Sequence, residues 1–324
     1  MPPKPSRKST KQEPEPEKKS PKIPTEVIVA IIGLISVIIT VIVAPLVTTR
    51  LNSNNVTPSA TVPNPTAQPN DTQIVSTQIP PPVISSSDVV DVKGIPMVLV
   101  PAGEFTMGSE NGFDDEKPSH KVYLNAFLID IYEVTNKLYK NCVDEGVCRT
   151  PYKLSSYSRN EYYGNQEYES FPVIFVDWNM ADTFCAWREA RLPTEAEWEK
   201  AARGTNRYIY PWGNEFDWTF ANVNNNDTTA VGSYEKGRSP YGLYDMIGNV
   251  WEWVADWYSD TYYLNSPLSN PFGPAGGPYR VLRGGSSLDY DLSKLRVSYR
   301  GGKLKSLVDE LVIVGFRCAR DLSP

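Results

Sequence analysis

The chain has 324 residues, 40% of them hydrophobic, and carries 32 Lys+Arg against 38 Asp+Glu for a formal net charge of -6. Residues 1–24 hold +4 of that charge, so residues 25–324 hold -10, which argues against nucleic acid as a partner because phosphate binding needs clustered positive charge. One histidine excludes a multi-imidazole zinc site, and four cysteines without any CxxC pair give no support to thioredoxin-like chemistry or a zinc ribbon.

Residues 1–26 are rich in Pro, Lys, Glu and Ser and read as a disordered tail. Residues 27–47 begin VIVAIIGLISVIITVIVA, a run without charge. At about 1.5 Å per helical residue, about 20 residues cross a hydrocarbon core of about 30 Å, so the run is long enough to span as one transmembrane helix. Its β-branched residues disfavour helix in water, but in lipid the backbone must satisfy its own hydrogen bonds. A cleaved signal peptide would be shorter and followed by a small-x-small site, so an uncleaved membrane anchor is expected. Seven Lys and Arg precede the run and only Arg50 follows closely. The tail is therefore expected in the cytoplasm, and the C-terminal domain of this single-pass membrane protein outside it, where disulfides persist. Residues 48–92, rich in Asn, Thr, Pro and Ser, read as a linker that holds the following domain off the membrane.

Residues 93–324 read as a loop-rich α+β domain. MVLVPAGEFTMG and HKVYLNAFLID alternate in the manner of strands joined by turns. His120 opens the second of these and reads as a strand-edge residue rather than a catalytic one. In VTNKLYKNCVDEG, Thr135 caps a helix, Leu138 and Cys142 share a face, and Gly146 ends it. In DWNMADTFCAWREA, Asp177 caps while Met180, Phe184 and Trp187 recur at helical spacing. RLPTEAEWEKAARG carries a capping box at Thr194 and Glu197, a buried stripe at Trp198, Ala201 and Ala202, and a stop at Gly204. All eight tryptophans lie between Trp178 and Trp257, as suits an aromatic core in this half of the domain.

Eight segments occur in order: MVLVPAGEFTMGS, DIYEVTNKLY, PVIFVDWNMADTFCAW, RLPTEAEWEKAARG, YPWGNEF, YGLYDMIGNVWEWVADWY, RVLRGGS and GFRCAR. Together they resemble the formylglycine-generating enzyme, or sulfatase-modifying factor, family across nearly all of residues 95–321. The resemblance implies that family's variant of the C-type-lectin fold, poor in regular secondary structure. It also bears on metals and cysteines. ANVNNNDTT packs oxygen donors into one short loop, which on its own fits turns made by Asx side chains as well as a hard cation. With the resemblance, structural calcium is expected at two sites: Asn222, the Val223 carbonyl, Asp227 and a carbonyl near Thr229; and Asp245 and Glu252 with the carbonyls of Gly248 and Val250.

Cys142 and Cys148 lie close enough in sequence to close a small loop, and the resemblance implies a second disulfide between Cys185 and Cys318. Formylglycine-generating members use two redox-active cysteines after the Gly-Gly-Ser turn, which bind copper and meet the substrate thiol. On RGGSSLDYDLSKLR those positions are Asp289 and Lys294, neither a soft ligand for Cu(I), so no copper and no formylglycine chemistry are expected. The family's iron-dependent sulfoxide synthases need several histidines, which this chain lacks.

What remains between the glycine pairs Gly284-Gly285 and Gly301-Gly302 is a polar and aromatic segment. Asp289, Tyr290, Asp291, Lys294, Arg296, Tyr299 and Arg300 are its candidate ligand-binding residues, since Tyr and Arg supply contact area and directed hydrogen bonds. The later stretch SLVDELVIV reads in part as a core strand. The region also resembles the variable segments of retroelement-diversified proteins. The expectation is a membrane-anchored module that binds a protein, peptide or glycan outside the cytoplasm. The alternative is an enzyme that modifies an extracytoplasmic protein, by formylglycine-generating or other chemistry.

Overall fold

The computed structural model describes residues 89–302 and 313–322. The expected tail 1–26, the expected span 27–47, most of the expected linker and residues 306–312 of the SLVDELVIV stretch lie outside the described residues. Among the described residues no helix is long and apolar enough to cross a membrane.

Three helices form where local signals predict them. In α1 (Asn136–Asp144) the Thr135 side chain accepts the Leu138 amide, and in α2 (Trp178–Trp187) Asp177 accepts the Met180 amide. In α3 (Glu195–Arg203) both arms of the capping box are made: Thr194 Oγ1 accepts the Glu197 amide at 3.2 Å and Glu197 Oε2 accepts the Thr194 amide at 2.8 Å. Gly204, at φ 66°, stops the helix.

The strands make three sheets. β1 (Val89–Val90), β2 (Pro96–Val100), β5 (Phe127–Asp130) and β10 (Ala319–Asp321) are ordered β1-β2-β5-β10, all antiparallel. β3 (Gly103–Met107) and β4 (His120–Leu124) pair as a two-stranded ribbon. β8 (Gly301–Gly302), β7 (Arg280–Arg283), β6 (Trp251–Trp257) and β9 (Val314–Phe316) form the third sheet, in which β6 pairs antiparallel with β7 and parallel with β9. The mixed class agrees with the α+β expectation, and much of the chain between these elements is turn and loop.

The core falls on both sides of the β6 sheet. One cluster gathers Trp198, Phe105, Phe127, Met246 and Val254; the other gathers Tyr139, Phe184, Trp253, Phe316 and the cysteines of α1 and α2. Only part of the SLVDELVIV stretch is described: Ile313 is buried beside Val250 and Phe175, and the strand proper starts at Val314.

The folded unit starts earlier than composition indicates. Val89 and Val90 pair with Met97 and Pro96, and the Asp91 carboxylate lies 2.6 Å from Arg188 with both side chains fully buried. Val89, Val90 and Asp91 sit within the expected linker 48–92. A two-residue strand in a polar run is too short to leave a periodic signal, and the partner that holds Asp91 is 97 residues away.

Candidate functional site

The segment between the glycine pairs is held out by a turn that only glycine permits. Gly284 and Gly285 have φ of 94° and 76°, and a Cβ on Gly285 would come within 2.8 Å of Leu295 Cδ2. Below the turn lies a buried ionic network: Arg283 donates to Glu199 at 2.6 Å, and Arg300 spans Glu195 at 2.8 and 2.9 Å. These side chains are nearly solvent-free, so the base of the segment is rigid.

Asp289 staples the turn. Its Oδ2 accepts the Ser286 amide at 2.8 Å and the Ser286 hydroxyl at 2.7 Å, and its carbonyl accepts the Asn224 amide at 2.8 Å. The Ser287 carbonyl accepts the Asn225 amide at 2.7 Å, which ties the segment to the 221–229 loop. Asp291 accepts the Ser293 amide at 3.0 Å and hydroxyl at 2.7 Å, and these hold its carboxyl below the ordinary range. Lys294 lies 3.8 Å from Asp291 and is nearly half exposed, while Tyr290 is 72% exposed and Leu292 39%.

The seven candidate residues therefore divide. Tyr290, Asp291 and Lys294 face solvent; Asp289 and Tyr299 are half-buried. Arg296 is committed to Glu116, its two terminal nitrogens 2.6 Å from the two carboxylate oxygens. Arg300 is committed to Glu195 and to the carbonyls of Asp115 and Ser259. As arranged, these two arginines shape the surface from beneath and have no free fork for a ligand, because a buried guanidinium must be paired.

Tyr299 lies edge-on to Phe113, centroids 5.6 Å apart, and 5.9 Å from Trp251. Burial, then the charges of Asp115, Asp289, Glu116 and Asp291, push its phenol above the ordinary value, so the ring edge stands in an acidic setting. Phe113, 46% exposed, extends this aromatic floor to the surface. Sequence reasoning missed Phe113 and Glu116, the latter reaching Arg296 from 180 residues away with no local signal. The arrangement presents a surface of aromatic and charged groups with no thiol: the chain's four cysteines pair as Cys142–Cys148 and Cys185–Cys318.

The expected calcium donors are brought together, but with other partners. At the first site the Asn222 amide donates to the Asp227 carbonyl and to Asn249, and its Oδ1 accepts from Asn225, each at 3.0 Å. The Asp227 carboxylate takes both the Ser156 and Ser158 hydroxyls, at 2.5 and 2.7 Å, and lies 3.0 Å from the Arg159 guanidinium. Burial raises its pKa, but those hydroxyls and the Ser158 and Thr228 amides outweigh burial and hold it below the ordinary range. Val223 donates its amide to Ala221, and the Thr229 amide and carbonyl both meet the Asn249 side chain.

At the second site, Glu252 Oε1 accepts from Arg317 at 2.7 Å, and Oε2 accepts from both Arg317, at 2.8 Å, and Trp198 Nε1, at 2.9 Å. Asp245 accepts the Gly232 amide at 2.7 Å, and burial pushes its carboxyl up to about 6. Gly248 donates to Gly284, and the Val250 amide meets Glu133, a buried carboxyl raised well above the ordinary range by burial and by the charges of Asp245 and Glu252. In each place a guanidinium already supplies the positive charge calcium would bring. Calcium at either place would require that guanidinium to leave the carboxylate it holds, Arg159 on Asp227 at 3.0 Å and Arg317 on Glu252 at 2.7 Å.

Comparison with known proteins gives a consistent picture. The family model described as "Sulfatase-modifying factor enzyme 1-like domain" matches residues 86–322. The chain is similar to the serine/threonine-protein kinase pkn1 of Chlamydia caviae, 38% identical over 248 residues that cover 69% of this chain and 38% of that protein. It thus spans well under half the length of that relative. It is also similar to inactive C-alpha-formylglycine-generating enzyme 2 of Bos taurus, 34% identical over 278 residues, 69% of this chain and 87% of that protein. Among solved structures, PvdO from Pseudomonas aeruginosa aligns with TM-score 0.59 at 27% identity, covering 72% of this chain and 98% of that one.

Proposed function

Because the chain belongs to the sulfatase-modifying factor enzyme 1-like family yet holds every cysteine in a disulfide, we propose that it is a binding module, anchored in a membrane by residues 27–47, that recognises a protein, peptide or glycan outside the cytoplasm. One observation carries the non-catalytic part: Asp289 and Lys294 stand where the family's thiols are expected, and no cysteine elsewhere is free to replace them. Oxidation of a substrate cysteine through a copper thiolate has no ligand here. The similarity to a relative named as inactive agrees with this reading.

The binding part rests on the surface itself. Tyr290, Leu292 and Lys294 project from a turn fixed by Asp289 and by the ionic network under Arg283, a rigid scaffold under exposed recognition groups. Anchoring and orientation rest on the apolar run and the basic flank before it.

The test incubates the purified full chain with a cysteine-containing sulfatase peptide and copper. No aldehyde is expected; aldehyde formation would overturn the reading in favour of an enzyme. Once a ligand is captured, Tyr290→Ala with Lys294→Glu is expected to abolish its binding without lowering stability, since both side chains face solvent.

A further inference from the structure

Away from the glycine-bracketed segment, a cavity of about 310 Å³ opens between the turn after β1 and the C-terminal ends of α1 and α2. Ile95, Leu138 and the Trp187 indole give it apolar walls; Asn141, Asp144, Glu145 and Lys93 stand around it. Lys93 occupies part of it. Its ammonium sits 4.0 Å from the centre of the Trp187 ring and 3.1 Å from each oxygen of Glu145.

The acceptor set does not depend on Lys93. Glu145 caps α1 through its own amide, and its Oε2 accepts the Trp187 indole N–H at 2.7 Å, so carboxylate and indole face are aimed by groups outside the lysine. Asp144 is paired with Lys140 at 2.6 Å, which leaves Glu145 as the carboxylate that takes the cation. Lys93 is a weak tenant by comparison. Its side chain is 31% exposed on a flexible stem, and an exposed ion pair of this kind contributes little. The turn carrying it is pinned independently, by Asp91 on Arg188.

We propose that this pocket is a recognition site for a primary ammonium group, the lysine side chain of a partner peptide, and that Lys93 fills it when the partner is absent. An indole face and a carboxylate hold an ammonium from two sides. The space along Ile95 and Leu138 accepts the aliphatic stem that a lysine brings. Two N–H donors reach Glu145 from Lys93, a pattern that a quaternary ammonium such as choline cannot make. The site shares no residue with the segment at 283–302, so it stands or falls apart from the function proposed above.

The test titrates Nα-acetyl-L-lysine amide into the ¹⁵N-labelled full chain and follows the Trp187 indole N–H signal. Vacating the pocket with Lys93→Ala, or Lys93→Met should the turn loosen, is expected to tighten binding about three- to thirtyfold over the wild type, the strength of one exposed cation–π contact plus an ion pair. Adding Glu145→Gln is expected to undo the gain, and choline to bind at least about tenfold more weakly than the lysine probe, having no N–H for the carboxylate. No saturable shift in the Lys93 variants, binding indifferent to Glu145→Gln, or choline equal to the lysine probe would each overturn the assignment.

Discussion

Arg317 and Glu252 meet in the core as a two-pronged pair, at 2.7 and 2.8 Å, with neither side chain more than 1% exposed. The pair joins β9's end to β6, and two further buried carboxyls, Asp245 and Glu133, feel both of its charges: Arg317 lowers their pKa and Glu252 raises it.

Removal of the guanidinium alone should therefore be severe. Arg317→Met strands Glu252 without a counter-charge, and a loss of about 3–5 kcal/mol is expected in urea unfolding. Arg317→Met with Glu252→Gln should recover a large part of it. Chelation by EDTA is expected to leave the wild-type unfolding midpoint where it was; a lowered midpoint would restore calcium to these sites.

Asp245 gives the fold a pH dependence with a defined sign. Burial raises its carboxyl to about 6 in the folded state, against about 3.9 in an unfolded chain. The folded state therefore binds the extra proton between these values, and stability falls as pH rises through that window and levels off above it. The full effect is at most about 3 kcal/mol. Asp245→Asn keeps an acceptor for the Gly232 amide and tolerates the residue's φ of 58°. The variant should match the wild type at pH 4 and exceed its unfolding free energy at pH 8; equal slopes for the two proteins would show that Asp245 does not titrate in this range.

The two disulfides should differ in worth. Cys185–Cys318 closes a separation of 133 residues and Cys142–Cys148 one of 6. By loop entropy, replacing the first pair with serine should cost about 5 kcal/mol and the second about 2 kcal/mol. Chemical unfolding of the two double variants checks the ranking; a costlier short loop would mean that local packing around α1 dominates.

The helices were legible because their signals are local. Thr194 and Glu197 lie one turn apart, so a capping box needs no tertiary partner to be recognised, and the same holds for Thr135 and Asp177. The eight ordered motifs made the family legible in the same way. The expected roles of Arg296 and Arg300 were less so: a guanidinium near a turn reads as a ligand contact until Glu116 and Glu195 are seen to hold it.

What this sequence determined alone was its helix ends, its mixed class and its family, all readable from neighbours or from residue identity. Only the tertiary structure decided that Asp91 belongs to the fold, that Arg159 and Arg317 stand on carboxylates expected to hold calcium, and that Lys93 and Trp187 share a pocket. Those outcomes turn on charge pairing and burial between residues up to 97 positions apart, and a buried carboxylate takes whichever cation the folded chain brings to it.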